Sequence, residues 1–161
     1  MPIIHLQWHS PVAFEAVEAL TSDADYGLYA IYGTHPCYGT NALIYVGRSG
    51  NESVGRAISK ESMVYGDLAQ ADLRYGIGRL TSPGAPPRQA AVRSLLRAHE
   101  LLVAAHSPAF NSPILLTADE FVDDDVLNWG ERRDLLPEVS AARWTEDLHL
   151  RENFIVHGEP T

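Results

Sequence analysis

The longest periodic pattern of apolar residues runs through the middle of the chain. Val92, Leu95, Leu96, His99, Leu102 and Val103 recur three or four positions apart and so share one face of a helix. This predicts a helix from Arg88 to Ala105, closed by Pro108 and Pro113. Upstream, Gly27-Leu28-Tyr29-Ala30-Ile31-Tyr32 and Ala42-Leu43-Ile44-Tyr45-Val46 are rich in β-branched and aromatic residues and predict two strands. The stretch from Gly33 to Asn41, with its Gly, Pro and Asn, predicts a long loop joining them into a hairpin. Polar residues from Arg48 to Glu52 lead into an expected helix over 53–63, and Leu73 to Leu80 reads as a third strand.

The flanks give weaker signals. Ser10-Pro11 ahead of Val12, Val17 and Leu20 reads as a cap, a proline at the first helical position and a short amphipathic helix ending near Thr21. Thr117-Ala118-Asp119-Glu120 has the form of a capping box and predicts another helix through Asp123-Asp124-Asp125. The 161 residues fit one domain of ordinary size. Residues 1–25 then form a helical lead-in and residues 113–161 an acidic, partly helical extension of the same domain.

Charge changes this picture in one respect. A net charge of −9 argues against a nucleic-acid partner, because phosphate binding needs Lys and Arg to displace counterions. The acidity is unevenly placed, however. Residues 26–111 hold eight Lys/Arg against five Asp/Glu, whereas residues 112–161 hold four against twelve. The central segment is mildly basic. The acidic end reads as a solvated helical face, as a surface for a protein partner or a homodimer, or as a cover for the basic centre. The single cysteine, Cys37, excludes an internal disulfide framework and a cysteine-based zinc cluster, and reads as a structural thiol. No basic segment leads into a long apolar run and no window approaches the roughly 18 apolar residues of a membrane span, so a soluble, cytoplasmic protein is expected.

Singly, the candidate chemical residues have plain structural readings. Tyr29 and Tyr45 sit on expected strands, where aromatic residues pack; Arg56 can pair with Glu52 one helical turn away, and Glu100 with Arg97 or Arg93. Glu100 falls at the edge of the predicted apolar stripe, placed to line a cleft, and a half-withdrawn carboxylate suits a hard divalent cation such as Mg²⁺. His99-Glu100 lacks a second histidine at zinc-protease spacing, His5 and His9 stand alone, and His99 reads as a hydrogen-bonded core residue. Gly76-Ile77-Gly78 is an incomplete phosphate-binding fingerprint and reads as a packing feature.

Order and spacing add a resemblance. Gly27-Leu28-Tyr29 and Tyr45-Val46-Gly47 are similar to the two halves of the motif that names the GIY-YIG nuclease family, with Leu and Val in place of Ile. Arg56, eleven residues after Tyr45, stands near the place of that family's helical arginine. Glu100, Pro108 and Asn111 repeat its glutamate helix and the proline and asparagine that follow. The resemblance covers residues 26–112. It implies an α/β (α+β) fold in which a small three-stranded, mostly antiparallel sheet is flanked by helices. It also implies a metal-dependent endonuclease acting on nucleic acid, with DNA the expected substrate.

In that scheme Glu100 holds Mg²⁺ or Mn²⁺, Arg56 stabilises the phosphate, Tyr29 helps to deprotonate the attacking water, and Tyr45 orients Tyr29 or the phosphate. Arg48 and Lys60 contact substrate, while Gly47 and Asn111 shape the site. Two features depart from the family. Lys60 stands where many members have a histidine, and a lysine is a poor general base at neutral pH; the Gly33 to Asn41 stretch is also long for the family hairpin. A non-catalytic binding module that keeps the fold is the alternative expectation.

Overall fold

Ile4, Leu6 and Trp8 alternate with His5 and Gln7, and this period of two builds a strand whose apolar side is buried. The computed structural model describes residues 3–61, 72–81, 88–112 and 124–141. Its elements are β1 (Ile3–Trp8), α1 (Phe14–Glu18), β2 (Leu28–His35), β3 (Gly39–Arg48), α2 (Val54–Glu61), β4 (Arg74–Leu80), α3 (Arg88–His106), β5 (Asp125–Gly130) and β6 (Glu138–Ser140). The six strands form one curled, mixed sheet in the order β3-β2-β4-β1-β5-β6. Neighbours are antiparallel except β1 and β5, which run parallel.

The class is α+β, but the expectation of a three-stranded sheet is overturned. Antiparallel β3-β2-β4 is only part of the sheet, and β1, β5 and β6 extend it on the β4 side. The lead-in is therefore not simply helical. Val12 exchanges backbone hydrogen bonds with Tyr75, N to O at 3.0 and 2.9 Å, which holds the residue after Pro11 extended and delays α1 to Phe14. The helix expected through Asp125 is also corrected. Asp125 to Gly130 pairs residue by residue with Ile3 to Trp8, and this tertiary ladder overrides the local helical signal. The capping-box residues 117–120 lie outside the described residues. Nor is the stretch from Gly33 to Asn41 a loop: the strands continue to His35 and resume at Gly39, leaving a short turn at residues 36–38. Cys37 is exposed at that turn.

The sheet carries a separate core on each face. Facing α3 are Ile4, Leu6, Trp8, Leu28, Ala30 and Val46, packed against Ala91, Leu95, Ala98 and Leu102. Facing α1 and α2 are Tyr29, Ile31, Ile44, Tyr75 and Ile77, packed against Val17, Val54, Ala57 and Ile58. The two helices on this face meet at Gly55. A Cβ there would lie 2.6 Å from the Leu20 carbonyl oxygen and 2.7 Å from that of Val17, so only glycine allows the approach. On the other face a buried Asn128 accepts from Trp8 Nε1 at 2.8 Å and donates to the Leu136 carbonyl at 2.8 Å, joining β1, β5 and the segment before β6. Among the described residues no helix is long and apolar enough to cross a membrane.

Candidate functional site at the end of the central hairpin

The two half-motifs, separate in sequence, become neighbours through the antiparallel register of β2 and β3, in which Tyr29 pairs with Gly47 and Leu28 with Arg48. Tyr29 lays its ring and hydroxyl over Gly47, where any Cβ would collide with the phenol. The glycine of the first half-motif is fixed in another way. A Cβ on Gly27 would strike the Gly78 carbonyl of β4, so β2 can enter the sheet here only without a side chain. Ser49, 1% exposed, clasps the same glycine: its Oγ accepts from Gly27 N at 2.8 Å and its own N donates to Gly27 O at 2.9 Å.

Beside Tyr29 stands Tyr45, with ring centroids 6.2 Å apart and planes inclined by 35°. The Tyr45 hydroxyl donates to Glu61 Oε1, at the end of α2, over 3.2 Å. Burial pushes the Tyr29 phenol far above its ordinary range, and the negative charge of Glu61 and Glu52 adds to the shift, with Arg48 opposing it. Burial thus disfavours the phenolate form of Tyr29. Glu61 and Ser49 have no signal in the sequence that links them to this hairpin, since the register that brings them here is a tertiary property.

The free edge of β3 is closed by residues on and after α3. Asn111 Oδ1 accepts from Val46 N and Asn111 Nδ2 donates to Val46 O, both at 2.8 Å. His99 Nε2 donates to the same carbonyl at 3.2 Å, and Phe110 N donates to Ile44 O at 2.9 Å. A single residue of an edge strand therefore has its outward N–H and C=O satisfied by side chains from two other segments. Burial holds the His99 ring neutral by lowering its pKa, with the Arg48 charge acting in the same direction. Arg48 exerts a minor electrostatic influence on both Tyr29 and His99.

Arg56 and Glu100 are placed differently from the tyrosines. Arg56 stands five residues before Glu61, about 140° round α2 at roughly 100° per residue. It is exposed, and with Lys60, Glu18 and Glu52 it lines an open cleft of about 500 Å³ that does not include the tyrosines. Lys60 Nζ pairs with Glu52 there. Glu100 is half-buried on α3. The inward face of α3 is set by Ala91, Leu95, Ala98 and Leu102, and Glu100 lies two residues from both Ala98 and Leu102, about 160° away. The stripe predicted from large side chains is rotated because two small alanines make the close approach to the sheet. Glu100 is carried by α3, which covers one face of the sheet, whereas the Tyr29 and Tyr45 side chains pack on the other.

The donor set bears on a metal ion. Among the described residues no three of His, Cys, Asp and Glu cluster to cage one. Glu61 accepts from Tyr45 and Glu52 from Lys60. An ion held here would need a single carboxylate with water completing its shell, as Mg²⁺ is commonly held. His5, read as isolated, accepts a hydrogen bond from Trp129 Nε1 at 3.1 Å across β1 and β5. Searches of protein-family models, of curated proteins and of solved structures returned no match to this chain.

Proposed function

We propose that the chain is a metal-dependent endonuclease that hydrolyses nucleic-acid phosphodiesters, DNA foremost. One observation carries this reading. Gly27 to Tyr29, Tyr45 to Gly47 and Asn111, which carry the two halves of the name motif and the asparagine of the nuclease resemblance, meet around Val46 and Gly47.

Each group then has a task set by its surroundings. Tyr29, buried over Gly47, holds the end of the hairpin and the Tyr45 ring in place. Arg48, half-buried at the end of β3 opposite Leu28, would offer its guanidinium to charge that develops on the phosphate. Glu100 would hold the Mg²⁺ or Mn²⁺, and the ion when bound supplies Lewis-acid polarisation of the phosphate and a more acidic water. Arg56 and Lys60 serve the nucleic-acid backbone at the outer cleft, and Asn111 keeps the end of β3 in place.

The test is incubation of the purified chain with plasmid, single-stranded DNA and RNA, each with Mg²⁺, Mn²⁺ or EDTA. Cleavage that needs the metal, and that Glu100→Ala abolishes while circular dichroism stays unchanged, is the expected result. A metal-dependent nuclease whose Glu100→Ala variant cuts as fast would refute the assignment of that carboxylate. A second reading, a binding module without catalysis, draws on the outward position of Arg56 and the net charge of −9. It expects retention of nucleic acid or protein with no cleavage under any metal.

A further inference from the structure

Among the described residues named so far, the site lacks an evident base. Tyr29 is held protonated, Lys60 occupies the place of a histidine and points to the outer cleft, and His99 donates to a backbone carbonyl. A carboxylate meets the tyrosine pair through a hydrogen bond. Glu61, the last described residue of α2, accepts the Tyr45 hydroxyl at 3.2 Å, and Tyr45 is half-buried with its ring against Tyr29. The described charged and titratable groups that bear on Tyr29, and so border the pair, are Glu61 and Glu52 with its partner Lys60 from the α2 side, and Tyr45 and Arg48 from β3.

We propose that Glu61 is the proton acceptor of this site, reached through Tyr45. The inference rests on the nuclease reading above. In the step, the water oxygen bonds to phosphorus and the bond from phosphorus to the leaving oxygen breaks. The water's proton passes to Tyr45 Oη as the proton of Tyr45 passes to Glu61 Oε1, and the leaving oxygen takes a proton from solvent. Glu61 does not touch the substrate; it sets the direction in which the Tyr45 proton can move. The spacing of a hydroxyl donor against a carboxylate is what such a relay requires.

Glu61→Gln separates this role from a structural one. The amide oxygen still accepts from Tyr45, so folding and substrate binding are preserved, but it cannot take a proton. The expected result is a fall in kcat of about 100-fold or more, the lower end for a lost general base. KM should be nearly unchanged, and the acid-side decline of rate that a carboxylate base imposes should disappear. Glu61→Asp should restore part of the rate. Tyr45→Phe should lose a similar amount, and the double variant little more, because the two residues act as one unit. An active parent chain with Glu61→Gln cutting at the same rate, or with the same pH profile, overturns the relay and leaves the nuclease reading standing. A parent chain that cuts no substrate with any metal overturns both.

Discussion

The two faces of the sheet handle buried polar groups in opposite ways. On the α3 face they complete the fold. His106 donates through Nδ1 to the Leu102 carbonyl and accepts the Leu136 N–H on Nε2, each at 2.8 Å, while His99 donates to Val46 and Asn128 bridges Trp8 and Leu136. Both histidines are held neutral, chiefly by burial. On the α1 and α2 face, the tyrosine pair is bordered by the carboxylates of Glu61 and Glu52 and by the Arg48 guanidinium. A polar group in a core is thus not in itself a sign of chemistry. What distinguishes the second face is the partner of its phenol: Tyr45 donates to the Glu61 carboxylate, whereas Tyr32 on the α3 face donates to the Arg132 carbonyl.

Breaking that contrast starts with the charge at the mouth. Arg48→Ala should lower turnover by about 10² to 10³, the usual cost of one transition-state donor. Arg56→Ala, at the outer cleft, should raise KM less than tenfold with little change in kcat. Steady-state kinetics on a labelled oligonucleotide compares the two, and equal losses of kcat would erase the distinction between tyrosine site and cleft.

Packing at the site is the next lever. Gly47→Ala drives a methyl group into the Tyr29 ring and should destabilise the protein by about 1–3 kcal/mol, read by urea unfolding. Activity should fall further than stability accounts for, since the phenol must move. An unfolding midpoint equal to that of the parent would show that the ring does not lie over Gly47.

The smallest effect belongs to the α3 face. Its histidines have pKa values lowered by folding from the ordinary 6.5, so the unfolded chain binds more protons than the folded one below that pH. Their contribution to stability is complete above about 6.5 and is lost as pH falls from there through the folded values. Urea unfolding between pH 8 and pH 5 should show this decline, and His106→Gln should flatten it. A parent whose stability is constant over that range would mean that the rings are not held neutral.

Much of the central unit was legible because its signals are local. The β2 and β3 runs, α2, β4 and α3 each begin or end within a few residues of the positions marked by Gly, Pro and apolar period, and α3 starts at Arg88 in both readings. The alternation of Ile4, Leu6 and Trp8 was present in the chain, but three apolar residues close to one end carry little weight without a partner strand. For β5 the local signal was misleading: three consecutive aspartates favour a turn or a helix start, and only the ladder with β1 makes Asp125 part of a strand.

By itself, then, the sequence determined which residues can do chemistry and which segments become helix or strand in the centre of the chain, because propensity and period act over a few residues. Tertiary structure decided which of those residues meet. Strand register laid Tyr29 on Gly47 and small alanines turned α3, while the packing of α2 brought Glu61 to Tyr45 and sent Arg56 outward. A shift of one residue in register or of one position round a helix changes every such meeting while leaving local preference almost unchanged.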